Sequence, residues 1–375
     1  MKMKIYSDRQ YLPEGVEHVV MLYPFWGKNP EHPRAPERGR FDRYTDVGRS
    51  FFEMSSLAEA DFAVMPAPWE RVMQNKEARD LALQFASKSK QAGKRIVVYF
   101  CSDSNNEVPI ENSVILRTSF FNSTRKFNEF ALPAWSEDLL ERYAGGSLPV
   151  RKKRQKPVVG FCGHAKTPTL KWKVQNFWRG AVNPTGAKNR QESMPLLGAT
   201  IRARALRALA DSQAVETNFI VRDRFHGGAL LANGGVDFDR MQMTRLEFVQ
   251  NLVESDYILC VRGAGNFSYR LYETLCCGRI PVFINTDCVL PYEFAIDWSR
   301  YCVWVDQTEL PRIADKVAEF HRNLSPEDLM DLQQNCRKLW EEWLSPQGFF
   351  ANFFLHFQTM QNRVFLGSQP GREFS

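Results

Sequence analysis

The sequence has no apolar run approaching the roughly 18 residues that span a bilayer. Its opening, MKMKIYSDRQYLPEGVEH, lacks the uninterrupted apolar core of a secretory signal. A cytoplasmic chain, with at most peripheral contact at the inner face of a membrane, is the expectation. The eight cysteines form no C-x-x-C pair and no regular spacing, which argues against a zinc site and a disulfide framework. Cys101, Cys162, Cys260 and Cys302 fall in apolar runs and read as small buried hydrophobes, and the adjacent Cys276 and Cys277 as packing residues near a helix end. No basic stripe interleaved with aromatics is present, so nucleic acid is not an expected partner. No G-x-G-x-x-G follows the first strand, which argues against a sugar-nucleotide epimerase or dehydrogenase.

What is present is length for two cores, with 375 residues of which 44% are hydrophobic, and a net charge of +6 that suits small anions such as nucleotide diphosphates. The most informative stretch is Tyr257 to Trp298. Tyr257–Val261 reads as a strand, Arg262–Ser268 as a glycine-containing loop, Tyr269–Cys277 as a helix closed by Gly278, and Ile280–Ile284 as a second strand. In such a unit the ligand edge lies at the carboxyl ends of the strands, where a loop feeds a helix N-terminus. Gly263, Gly265 and Asn266 would offer backbone donors there, and Arg262 and Arg270 two guanidinium groups, a set suited to a diphosphate. Glu273 falls one helical turn past Arg270, where an ion pair between the two is the alternative.

Along the rest of the chain, strands are expected at Lys4–Tyr6, Val19–Tyr23, Asp61–Met65, Arg95–Cys101 and Val114–Arg117, with a helix over Glu70–Gln91. The proline-rich stretch Pro24–Arg43, carrying His32 and Glu37, is long enough to be a functional loop. Asp103 follows the Arg95–Cys101 strand, a place for a catalytic side chain or for a turn cap. Ser136–Lys156, with the basic run Arg151–Lys156, reads as a solvated boundary between a domain over 1–150 and another over 151–345. Val158–Cys162 opens the second sheet, and Gly163 and His164 lie at its carboxyl end. Thr167–Leu197 reads as an insertion, Ile201–Ala214 as a helix and Thr217–Val221 as a strand followed by Arg222, Arg224, Phe225, His226, Gly227 and Gly228. Asp237-Phe238-Asp239 is a D-x-D, but it sits in a Gly/Asn-rich loop rather than at a strand end, so no metal is expected there. After a closing strand at Cys302–Val305, the remainder reads as helices, the last within residues 346–375 and crossing back to the first domain.

The ordered set Gly265, Ser268, Arg270, Glu273, Gly278-Arg279-Ile280-Pro281-Val282, Leu290-Pro291 and Asp297-Trp298 resembles the donor-side signature of the exostosin-type glycosyltransferases, family 47. The resemblance implies an α/β fold of the GT-B type, two Rossmann-like domains facing a cleft. It also implies inverting transfer of a sugar, without an essential metal or other cofactor, from a nucleotide-sugar donor, taken as a UDP-sugar, to a glycan or glycolipid acceptor. On that footing Arg262, Arg270, Ser268 and the loop amides would stabilise the leaving diphosphate, with help from Gly163, His164, Arg222 or Arg224. Glu273 would take the ribose, and Asp103, Glu37 or His32 the acceptor proton. The other readings are a non-catalytic carbohydrate- or nucleotide-binding protein of the same fold, and a metal-dependent sugar-nucleotide enzyme using Asp237 and Asp239.

Overall fold

A computed structural model describes residues 2–165, 186–231 and 233–367. Two parallel sheets organise it. The first comprises β1 (Met3–Tyr6), β2 (Phe52–Met54), β3 (Phe62–Val64), β4 (Arg95–Phe100), β5 (Ser113–Arg117) and β6 (Glu129–Ala131), in the order β2-β1-β3-β4-β5-β6. The second comprises β7 (Val158–His164), β8 (Glu216–Arg222), β9 (Tyr257–Cys260), β10 (Ile280–Asn285) and β11 (Val303–Asp306), in the order β11-β10-β9-β7-β8. Every pairing between these strands is parallel. In each sheet the first strand lies between the second and the third, so the winding reverses there and opens a crevice at the carboxyl ends. The fold is α/β, and the two sheets facing a cleft are the GT-B arrangement expected from the sequence.

The longer helices are α1 (Lys76–Gln91), α2 (Gly186–Ala210), α3 (Phe238–Val253), α4 (Tyr269–Cys276), α5 (Ile313–Asn323), α6 (Pro326–Leu339) and α7 (Phe354–Gly367). Asn75 caps α1 by accepting from the Ala78 amide at 2.6 Å, and Ala78, Ala82 and Phe85 recur at helical spacing on its buried face. Past α4, Gly278 takes φ +58°, and the Leu148 side chain lies 2.5 Å from where a Cβ would stand. Only glycine satisfies both demands. Beyond residue 345 the chain returns to the first sheet, where Phe350 and Phe353 meet Phe52, and Phe357 stacks on Phe62 at 4.6 Å between ring centres. No described helix is long and apolar enough to cross a membrane.

Several local readings change. Val19–Tyr23 is a 3-10 turn, Val20–Leu22, running into a short helix, Tyr23–Trp26. Pro24 has no N–H for a strand ladder but fits the first turn of a helix. Strands β2 and β6, three residues each, carry too little pattern to be seen in the sequence. The basic run is largely solvated, with Lys152, Arg154 and Lys156 exposed, but two of its side chains are tied to the second sheet's surroundings. Arg151 pairs with the buried Asp256, whose other oxygen accepts from the Val158 amide at 2.9 Å, and Lys153 donates to the Leu324 carbonyl. These bonds pin the entry to β7. Thr167–Leu197 falls largely outside the described residues; α2 begins at Gly186, upstream of the expected start. Cys162, Cys260 and Cys302 are buried as expected, whereas Cys101 is exposed at the end of β4.

Candidate functional site

The carboxyl ends of β4, β7, β8 and β9 converge on a cleft of about 550 Å³ between the two sheets. Of the residues singled out in the sequence, Glu37, Asp103, Gly163, His164, Arg222, Gly263, Ser268, Arg270 and Glu273 line it. His32, Arg224, Arg262, Gly265 and Asn266 do not.

The loop from β9 to α4 divides into two functions. Gly263 and Ser268 face the cleft; the Gly263 amide donates to the Phe267 carbonyl at 3.1 Å, and Ser268 precedes α4 without spending its hydroxyl on a cap. Gly265 and Asn266 instead join the two halves. The Asn266 amide nitrogen donates to the Ser119 hydroxyl at 2.8 Å, its side chain donates to the carbonyls of Phe120 and Asp287, and its Oδ1 accepts from Thr286. Asn266 is therefore an interior stitch and has no donor left for a diphosphate. At Gly265 an added Cβ would stand 2.7 Å from Oδ1 of Asp103, so the absence of a side chain lets the loop after β4 meet the loop after β9. Arg262 is also buried. Its Nη2 donates to the Ala264 carbonyl at 3.0 Å and its guanidinium lies 5.6 Å from the Phe121 ring, at the junction of the halves.

Arg270 enters the cleft from the first turn of α4. It donates to the Cys162 carbonyl at 2.8 Å and lies 4.5 Å over the Phe161 ring. A side chain at Gly163 would press on its Nη2, 2.8 Å away, so Gly163 leaves room for the guanidinium. Beside it stands Arg202 of α2, which the sequence analysis does not single out. Arg202 donates to the carbonyls of His164 at 2.6 Å and Arg262 at 3.2 Å, clasping the loops after β7 and β9. Burial, and then the charge of Arg270, push Arg202 down to about 10, and burial holds Arg270 below the ordinary arginine value. Arg222, at the end of β8, is paired with Glu247 and donates to the Thr244 carbonyl at 2.9 Å. Arg40, which also lines the cleft, donates to the Trp135 carbonyl at 3.3 Å. Among the described residues Arg40, Arg202 and Arg270 have no carboxylate partner, and the Nε of each has no hydrogen-bond acceptor.

Glu273 pairs not with Arg270 but with Arg245 of α3, whose Nη1 donates to Oε1 at 2.5 Å. The same guanidinium grips Glu137 through Nε at 2.9 Å and Nη2 at 3.0 Å. Burial works against this arginine's charge, but the two carboxylates outweigh it and raise its pKa. Glu273 is thereby held at the cleft wall with its orientation set by a residue the sequence did not single out.

Asp103 and Glu37 also line the cleft, Asp103 against Gly265 of the β9–α4 loop. His32 is elsewhere: its ring stacks on Phe238, 4.1 Å between centres and 3° from parallel. Neighbouring Arg34 forms an ion pair with Asp239, while Asp237 caps α3 by accepting from the Arg240 amide at 3.0 Å. Both carboxylates of the D-x-D thus have work in the fold. Arg224 is exposed ahead of the turn Phe225–Gly228.

A family model described as the Exostosin GT47 domain matches residues 222–320. That segment of the chain is similar to the exostosin-type GT47 proteins. Over 113 residues it is 32% identical to Exostosin-1 of Drosophila melanogaster, covering 30% of this chain and 14% of that protein. It is 26% identical over 128 residues to the Exostosin-1 homolog of Caenorhabditis elegans, 34% of this chain and 32% of the relative. With a probable glucuronosyltransferase of Oryza sativa subsp. japonica it shares 38% identity over 66 residues, 18% of this chain and 15% of the relative. The chain thus spans a third or less of the length of these curated relatives. The GT47 segment runs from Arg222 through β9, α4 and β10 into α5. It includes Arg262, Arg270 and Glu273, whereas Asp103, Glu37 and Arg202 lie before it.

Proposed function

We propose that the protein transfers a sugar from a nucleotide-sugar donor to a hydroxyl of a glycan or glycolipid acceptor, in polysaccharide synthesis. The observation that carries this reading is the cation set of Arg40, Arg202 and Arg270, which line one cleft with no carboxylate partner among the described residues. Partly desolvated charge of one sign is unfavourable until a ligand of the other sign arrives. The family and the names of the relatives supply the reaction class.

As the bond between the anomeric carbon and the diphosphate oxygen breaks, negative charge grows on the leaving group. Preorganised donors aimed at that charge lower the barrier. Arg270 and Arg202 and the Ser268 hydroxyl take this part, at the N-terminus of α4. Glu273, oriented by Arg245, accepts the ribose hydroxyls. Asp103, beside Gly265, takes the proton of the acceptor hydroxyl as it attacks, with inversion at the anomeric carbon; Glu37 is the second carboxylate within the cleft. His32 leaves this role, because its ring is stacked on Phe238. The reading invokes no divalent metal, since Asp237 and Asp239 are engaged by Arg240 and Arg34. Uridine diphosphate as the carrier rests on the family resemblance.

Calorimetry and thermal shift against uridine, guanosine, cytidine and thymidine diphosphates, with manganese and with chelator, test the reading. Binding of one nucleotide that survives chelation is the expected result, followed by turnover of its sugar conjugate. Binding that needs manganese returns Asp237 and Asp239 to the site, and no binding at all removes the proposal.

A further inference from the structure

We propose that the turn after β8 is a nucleobase subsite, with the Phe225 ring as its stacking surface. The inference rests on the donor reading above and extends it to the end of the cleft that the phosphate and ribose ligands leave open.

Phe225 lines the cleft and is 67% exposed. A benzyl side chain left in water forgoes the burial that stabilises its counterparts in the core. The turn that presents it is firmly built. His226 has φ 49° and ψ 32°, the left-handed region that a residue with a Cβ keeps only when its surroundings impose it. Gly227 follows at φ +61°, and the Thr244 methyl lies 2.4 Å from where a Cβ would stand. Arg240 donates to the Gly227 carbonyl at 2.8 Å, and the Asp237 amide donates to the Ala229 carbonyl at 2.9 Å. The His226 ring meets the Phe225 ring edge-on at 4.2 Å, backing it from one side. A rigid turn with an exposed aromatic inside a cleft is a platform for another flat ring.

The order of groups along the cleft selects which ring. Arg202 and Arg270 mark the phosphate position, and Glu273 stands one helical turn past Arg270. Gly227 packs against Thr244, which precedes Arg245 in α3, and Arg245 holds Glu273, so the turn adjoins the ribose carboxylate. Phosphate, ribose and base follow one another in that sequence in a nucleotide. The reacting sugar belongs at the other end, where Asp103 stands against Gly265.

The probe is a pair of ligands that differ in the base: uridine diphosphate, or whichever nucleoside diphosphate binds most tightly, and inorganic pyrophosphate. For Phe225→Ala, nucleotide affinity should fall roughly tenfold, the scale of one lost base–aromatic stack, with pyrophosphate affinity and melting temperature unchanged. Phe225→Trp should restore binding, and its indole fluorescence should be quenched by the nucleotide. Unchanged nucleotide affinity in Phe225→Ala overturns the subsite. So does an equal loss for pyrophosphate, or a raised acceptor KM with donor affinity intact, which would make Phe225 a sugar platform. If the unsubstituted protein binds pyrophosphate and no nucleotide, the subsite falls while the anion site stands; if it binds neither, the donor reading falls first.

Discussion

Replacing Arg270 by glutamine separates a binding role from a structural one. In the unliganded protein its guanidinium donates to the Cys162 carbonyl and lies 4.5 Å over Phe161, so the fold gains from its presence. A desolvated contact of that kind contributes about 1–2 kcal/mol. Against it stands the crowding of positive charge. Burial, and then the charge of Arg270, push Arg202 down to about 10. Removing Arg270 relieves part of this, and glutamine retains an N–H for the Cys162 carbonyl. The two effects offset to within about 1 kcal/mol, so the melting temperature should move by under about 4 °C. Nucleotide diphosphate affinity, by contrast, should drop by about 10- to 150-fold, the range of a lost charge-assisted hydrogen bond, and turnover by about 10²–10³ if the group meets the leaving charge. Scanning calorimetry and titration calorimetry on one preparation give both readings. A fall of more than roughly 10 °C, with nucleotide affinity of the folded protein unchanged, would make Arg270 a core residue and refute the argument.

Asp103→Asn should cut transfer by about 10²–10⁴ while leaving nucleotide affinity as it was; initial-rate kinetics beside titration calorimetry decide, and full activity passes the base role to Glu37. Gly265→Ala brings a methyl group to 2.7 Å from Oδ1 of Asp103 and from the Phe267 ring, so the loop must shift; a stability loss of about 1–3 kcal/mol and slower turnover at similar nucleotide affinity are expected. Arg337 grips Asp138 through Nη2 at 2.7 Å and Nη1 at 2.9 Å. Burial raises the Asp138 pKa, but the guanidinium outweighs it and the folded value lies below the unfolded one. The pair's contribution is therefore full above about pH 4 and is lost as pH falls through the depressed folded pKa. In acid denaturation, Asp138→Asn should start less stable at neutral pH and lose less on acidification; parallel curves would show that the pair contributes nothing.

The segment from β9 to β10 was legible because its signals are local. Two apolar runs, a glycine loop and a helix closed by Gly278 follow one another within about thirty residues, and each is set by backbone preferences that neighbours do not reverse. The short strands β2 and β6 and the helical turn at Tyr23–Trp26 were not legible, since three or four residues carry no period. Asn266 was misassigned for a different reason. Its place in a glycine-rich loop is visible in the chain, but Ser119, Phe120 and Thr286, which consume its hydrogen-bonding groups, lie far away in sequence. Asp237 and Asp239 likewise show a spacing in the sequence, and only the cap to Arg240 and the pair with Arg34 reveal how they are used.

The sequence by itself determined the alternation of strand and helix, hence parallel sheets, and the loop that carries Ser268, Arg270 and Glu273, because hydrophobic period and turn chemistry act over a few residues. Tertiary structure alone decided which charges remain uncompensated. Glu273 is held by Arg245, Arg222 by Glu247, and Asp239 by Arg34, while Arg40, Arg202 and Arg270 are left to face the cleft. Charge balance sums over partners brought together from distant parts of the chain, and no local pattern records that sum.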